Sequence, residues 1–309
     1  MRTALTALTE ELRRLKAGGV KSVSVSDASL AALRRVVAAR PKPARAPERE
    51  AGRATENSAP ALKDWTPPPV SARLRPPAVE KTDSTIPEPA PFTLPEGDKP
   101  ARMAALRERV LNDAVCAAHL RPGKRIVVGV GDLDARIMFV GEAPGAEEEE
   151  RGEPFVGPAG QLLTKMIGGM GLKREEVYIG NIMNWRPQLP ANASGVQYGN
   201  RPPTEAEMRY CLPYLRAQIE IVNPEVLVAL GTTAAQGLLG LGTFKTLGEV
   251  RGRWREFAGK PLMVTYHPSY ILRNQSNRSK RMIWEDLLKV MERAALPISD
   301  KQRGYYLQK

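Results

Sequence analysis

Cysteine is almost absent from this chain: its 309 residues include two, Cys116 and Cys211. Two thiols are too few for a disulfide framework, which excludes the small cross-linked secreted domains. No apolar run approaches the length that crosses a bilayer. The N-terminal MRTALTALTEELRRLK interleaves charge with apolar residues where a signal peptide needs a long uncharged stretch. A cytoplasmic, monomeric protein with no membrane partner is expected. No Walker-type glycine-lysine loop is present, which weakens the case for an enzyme acting on nucleotide phosphates. Acidic residues are outnumbered, 34 against 46 Lys and Arg, leaving a formal charge of +12. That balance suits a polyanionic partner, nucleic acid first, although it also serves solubility alone.

What is present falls into four stretches. Residues 2–17 read as a short amphipathic helix ended by Gly18-Gly19, and residues 28–39 as a second, with Asp27 as its N-cap. Together they make a short helical region over 1–40. Residues 41–100 repeat proline among Ala, Lys, Arg, Glu, Ser and Thr and lack periodic apolar positions. Such a segment buries too little apolar surface to offset its ordering entropy and reads as a disordered tether. A replication or repair protein that reads residues 1–100 is one partner this organisation leaves open. Residues 101–297 carry globular patterning, and 298–309 form a C-terminal tail.

Within 101–297, short apolar strands alternate with helical stretches. Residues 103–120 look helical, then strands are expected at 136–142, 176–182, 226–231 and 261–267, with helices at 160–171, 204–222, 232–239 and 281–296 between and after them. Thr204 and Glu207 have capping-box spacing. This alternation predicts an α/β fold, a parallel sheet with helices on both faces. In such a sheet a site lies beyond the carboxyl ends of the strands. Those ends carry Gly141-Glu-Ala-Pro-Gly145 with an acidic run to Glu150, then Asn181, then Gly231-Thr-Thr, then His267-Pro-Ser-Tyr. Each also has a plain structural use: glycines turn chains, carboxylates complement helix starts, an Asn caps, a His satisfies a core. Carboxylates, an amide and one of only two histidines on one rim is the more telling observation.

Gly141-Glu-Ala-Pro-Gly145, Pro154-Phe-Val-Gly-Pro-Ala-Gly-Gln-Leu-Leu163, Asn181-Ile-Met-Asn-Trp-Arg-Pro187 and His267-Pro-Ser-Tyr-Ile-Leu-Arg273 resemble, in this order, the motifs of the family 4 uracil-DNA glycosylases. The resemblance covers roughly residues 103–295. It implies a three-layer α/β/α sandwich around a four-stranded parallel sheet, acting on uracil-containing DNA by flipping the base and hydrolysing its glycosidic bond. It also implies roles for individual residues. Phe155 would stack on the flipped uracil. Asn181 would pair with its edge and discriminate it from cytosine, and His267 would donate to uracil O2 as negative charge builds there. Gly141, Glu142 and Ala143 would line the base and the attacked sugar carbon, with Glu148 as a second carboxylate and Asn200 nearby. Either Glu142 or Glu148 would aid the water. Ala143 stands where some related glycosylases carry a water-activating Asp, which favours an electrostatic role over general-base catalysis. Ser269, Leu272 and Arg273 would meet DNA, Leu272 as a wedge. Arg251, Arg253, Arg278, Lys280 and Arg281 are further candidates for phosphate contacts. An inactive DNA-binding module of the same fold is the alternative.

Two departures stand out. Members of the family typically hold an iron–sulfur cluster on four cysteines. Here the corresponding positions are Cys116, His119, Trp185 and Cys211. Two thiolates and an imidazole make a poor set and Trp185 cannot ligate, so no cluster and no other cofactor is expected, with apolar packing in its place; a cluster held through His119 and an unexpected fourth ligand is the alternative. Residues 188–199 look inserted, and they carry no histidine that could trap the product covalently.

Overall fold

The computed structural model describes residues 86–189, 197 and 199–307. The helices expected over 2–17 and 28–39, the tether as far as residue 85 and most of the 188–199 insertion lie outside the described residues.

The first helix, α1 (Lys99–Leu111), starts at Asp98, whose side chain accepts the Ala101 N–H at 2.9 Å. The single helix expected over 103–120 is in fact two. Asp113 takes an extended backbone and caps α2 (Ala114–Ala118), accepting from Cys116 N at 2.6 Å. A short carboxylate offers the backbone this alternative to continued helix.

Four strands run parallel in the order β3 (Tyr178–Asn181), β2 (Ile137–Gly141), β4 (Val226–Leu230) and β6 (Lys260–Thr265). These are the four legible in sequence. Two antiparallel edge strands extend the sheet to six: β1 (Val130–Gly131) on β3 and β5 (Trp254–Phe257) on β6. The expected four-stranded sheet is thus the parallel centre of a larger mixed one. The edge strands escaped because one has two residues and the other, Trp-Arg-Glu-Phe, is mostly exposed, as edges that avoid aggregation are.

Side chains alternate across the central strands. Met138 and Val140 join one core, Ile137 and Phe139 the other. The first core is roofed by α1, α5 (Glu205–Val222) and α6 (Thr232–Leu239), the second by α4 (Pro158–Gly169) and α9 (Asn277–Arg293). The result is the three-layer α/β/α sandwich. Helix α5 opens with the expected capping box, Thr204 with Glu207, worth about 1 kcal/mol to a helix.

The chain on either side of the sandwich packs onto it. Phe92 lies on Tyr214 with ring centroids 5.4 Å apart and under the Arg109 guanidinium at 4.5 Å. At the other end α10 (Asp300–Arg303) is held by Trp284 Nε1, which donates to the Gln302 carbonyl at 2.6 Å, and by Gln302 Nε2, which donates to the Gly169 carbonyl at 2.9 Å. Single aromatic side chains find grooves that periodicity along the chain does not reveal.

Candidate active site

Strand register brings the first two site residues together. Gly141 and Asn181 end β2 and β3 and are paired neighbours. The Asn181 amide is buried, and its Oδ1 has no hydrogen-bond partner among the described residues. Buried acceptors are usually paired, with protein, water or a bound ligand, so this oxygen is available to accept from a donor brought to the strand-end rim. Gly141 must be glycine here. A Cβ on it would collide with Asn181 Oδ1 and stand 2.5 Å from the Phe155 ring.

Phe155 is buried with φ of +54°, in the left-handed region that disfavours side chains. Such a backbone costs on the order of 1–3 kcal/mol and persists only where its surroundings impose it. Glu148 in α3 (Ala146–Arg151) supplies much of that imposition. Its Oε1 accepts from Val156 N at 3.0 Å and Gly157 N at 2.9 Å, and its Oε2 accepts from Gly145 N at 3.1 Å. On the other side Arg174 Nη2 donates to the Pro154 carbonyl at 2.7 Å. Gly160 leaves room for the Phe155 carbonyl, which a Cβ there would strike. The carboxylate of Glu148 is therefore engaged in clamping two loops together.

His267 follows β6 and caps α8 (Pro268–Arg273). Its ring centroid lies 5.6 Å from that of Phe155. Its Nδ1 accepts the Ser269 N–H at 3.2 Å and lies 2.9 Å from Ser269 Oγ. Burial first, and the Arg273 charge second, push its pKa down to about 4. The ring is therefore neutral, and because Nδ1 accepts, the proton sits on Nε2 as a hydrogen-bond donor. Two residues earlier, Thr265 Oγ1 donates to Asp286 at 2.6 Å, and Arg251 Nη1 donates to the same oxygen at 2.8 Å. Arg251 is thereby engaged in holding the strand end. Arg281 is likewise tied to Glu285 and to the Arg303 and Tyr305 carbonyls. The phosphate contacts considered for these two arginines compete with internal partners.

Glu142 and Ala143 lie in the turn after β2, shaped by Ile182 N donating to the Gly141 carbonyl at 3.0 Å and Met183 N to the Glu142 carbonyl at 3.1 Å. Burial raises the Glu142 pKa, and the Thr233 hydroxyl at the start of α6 opposes the shift. Leu272 and Arg273 are exposed on α8, with Arg273 Nη1 donating to Ser269 Oγ at 3.3 Å. Arg253 and Arg278 are exposed as well.

Asn200 is exposed, and its Oδ1 accepts from Arg186 Nε at 2.8 Å. Arg186 is itself buried against Glu149 at 2.8 Å. Sequence reading assigned neither Arg186 nor Glu149 a role. Arg186 sits inside a quoted motif, but the only signal for Glu149 was an acidic run that looks solvated.

The four positions of the incomplete cysteine set do come together. Cys116 and Cys211 are free and fully buried, and the neighbouring Cys211 first, then burial, raise the Cys116 pKa. Trp185 is fully buried and stacks on His119, centroids 4.9 Å apart, with its own Nε1 unpartnered among the described residues. His119 Nδ1 lies 2.7 Å from the Val115 carbonyl, which fixes the proton there. Tyr210 and Tyr214 donate to Asp113 alongside.

Comparison with known proteins follows this geometry. The family model of the uracil DNA glycosylase superfamily matches residues 128–288. A type-4 uracil-DNA glycosylase of Thermotoga maritima is 44% identical over 188 residues, covering 60% of this chain and 92% of the relative. The type-4 enzyme of Pyrobaculum aerophilum is 39% identical over 181 residues, covering 57% of this chain and 87% of the relative. A type-5 uracil-DNA glycosylase of Thermus thermophilus is 30% identical over 202 residues, covering 62% and 90%.

Proposed function

The chain belongs to the uracil-DNA glycosylase superfamily, on the type-4 side, and from that premise we propose how its own residues excise uracil. It is a DNA repair enzyme, a hydrolase of N-glycosyl bonds.

The unpartnered Asn181 Oδ1 carries the reading. Uracil presents an N3–H donor beside the O4 acceptor, and the Asn181 amide offers the complementary pair. Cytosine presents an acceptor at N3 and donors at N4, so it would leave the buried amide mismatched, a penalty that gives strong discrimination. The flipped ring lies against Phe155. Extrusion costs a few kcal/mol, part of which Leu272 offsets by filling the vacated stack.

The bond between sugar C1′ and uracil N1 then breaks, its electron pair leaving with the base and spreading onto O2. His267 meets that charge as a neutral Nε2–H donor. A neutral donor need not lose a proton, and its orientation is preset by the Ser269 N–H on Nδ1, so little reorganisation is needed. The sugar is left cationic. The Glu142 carboxylate stabilises it and orients the water whose oxygen bonds to C1′, the water's proton passing to solvent. Glu148 acts one step removed by holding the Phe155 loop.

We also infer that this chain works without a cluster. The Trp185 indole fills the position a ligand would take and stacks on His119, whose Nδ1 is committed to a backbone carbonyl. The donor set therefore does not fit an iron–sulfur group. No helix among the described residues is long and apolar enough to cross a membrane.

Purified protein incubated with a uracil-containing oligonucleotide, then treated with alkali, tests the reading. Strand breaks at uracil and none at cytosine are expected. Binding to DNA without any break in single- or double-stranded substrate would overturn it in favour of an inactive module.

A further inference from the structure

Beside the strand-end rim lies a buried cation, Arg186. Arg186 lies between three partners: Nη1 on Glu149 Oε1, Nη2 on the Gly199 carbonyl and Nε on Asn200 Oδ1, each at 2.8 Å. Both charged side chains of the ion pair are almost wholly buried. Asn200, by contrast, is exposed. The base of the 188–199 excursion is stapled beside it. Gln197 Nε2 donates to the Pro187 carbonyl at 3.1 Å, and Leu189 N donates to Gln197 Oε1 at 3.0 Å.

With Oδ1 held by Arg186, the Asn200 Nδ2 donors face the loop of Glu142 and Glu148. A methyl built on Gly145 would stand 4.0 Å from that nitrogen. A free surface asparagine samples both amide orientations and several rotamers. An arginine anchored at two other points removes that freedom, because its guanidinium is planar and its donors are fixed in a fork.

We propose that Arg186 is a positioning residue for uracil excision, orienting the exposed Asn200 amide so that its NH2 donates to an oxygen of the DNA at the flipped nucleotide. The proposal rests on the glycosylase reading above. Arg186 touches no substrate. It acts through Asn200, and Glu149 serves to neutralise and aim it.

Four variants test this: Asn200→Asp, Asn200→Ala, Arg186→Lys and the Arg186→Lys/Asn200→Ala double. Single-turnover cleavage of a uracil oligonucleotide and thermal unfolding are measured together. Beside Asn200→Ala, which removes the NH2 without adding charge, Asn200→Asp keeps an acceptor for Arg186 Nε and replaces the NH2 with a charged oxygen. It is expected to unfold at the wild-type temperature or above while cleaving about tenfold more slowly, the loss of one directed hydrogen bond in the transition state. Arg186→Lys, which lacks the fork, is expected to slow cleavage to a similar extent. The double variant is then no slower than Asn200→Ala alone, because both changes remove one effect. Wild-type cleavage by Asn200→Asp would overturn the proposal, as would fully multiplicative losses in the double variant. Should Arg186→Lys fail to fold, the Asn200→Asp result decides. A wild-type chain that cleaves nothing fails the glycosylase reading itself, whereas a cleaving wild type with an equally active Asn200→Asp fails this inference alone.

Discussion

Asn181 and Phe155 meet over the Cα of Gly141, where a Cβ would collide with the amide oxygen and stand 2.5 Å from the aromatic ring. The two residues proposed to recognise the base are thus set by a gap one hydrogen atom wide in an adjacent strand. Phe155 comes from a loop 26 residues before Asn181, so only the strand register and the loop clamp create this meeting.

Gly141→Ala is expected to push the ring and the amide apart. Overpacking of this kind costs about 1–3 kcal/mol of stability, and the displaced base contacts cost more in rate than in stability. Thermal unfolding beside single-turnover cleavage checks this. An alanine variant with wild-type kinetics would show that the gap is not needed.

Asn181→Ala separates function from stability in the opposite sense. Its Oδ1 is buried without a partner among the described residues, so its removal takes away a desolvated, unsatisfied acceptor. Cleavage is expected to fall by at least about a hundredfold, while the unfolding temperature holds or rises. A large drop in stability with intact cleavage would contradict the assigned role.

Glu148→Gln replaces a carboxylate that accepts three backbone N–H groups with an amide that turns a donor toward one of them. A loss of about 1–3 kcal/mol is expected, with weakened uracil binding as Phe155 leaves its left-handed backbone. The acid side of the rate profile should keep its midpoint, because the Glu148 carboxylate is engaged in clamping the loops and takes no part in the proposed chemistry. A shifted midpoint would reassign it to the chemistry.

The pH dependence follows from two shifts of opposite sense. Burial raises the Glu142 pKa, so its carboxylate forms only above the ordinary glutamate value, and the rate should rise with pH through that higher midpoint. His267, pushed down to about 4, is already neutral there and adds no limb. Single-turnover rates across acid and neutral pH, for wild type and Glu142→Gln, provide the check. The variant should be slow and lack the limb, and an unchanged limb would move the titration elsewhere.

Iron analysis and absorbance of the purified protein are expected to show no cluster, and treatment with a chelator should leave both cleavage and unfolding temperature unchanged. Stoichiometric iron, with cleavage lost on its removal, would overturn the packing argument at Trp185.

Much of this protein is determined by the sequence alone. The four parallel strands, the Thr204–Glu207 cap and the placement of Asn181, His267 and the Gly141 turn at strand ends follow from local apolar runs, capping residues and one topological rule. These are short-range properties, and a short-range pattern records them. Tertiary structure decided the rest, because the deciding contacts join distant residues. The exposed β5 and the two-residue β1 have no apolar run to announce them. The direction of the Glu148 carboxylate, the tautomer of His267 and the internal partners of Arg251 depend on groups that arrive from other elements. Arg186 and Glu149 had no assigned part until the fold buried them together, 37 residues apart along the chain. A charged side chain carries no mark in sequence of whether it will face water or a partner. The layers that close over it settle that, since burying a charge without its counter-ion costs too much to survive.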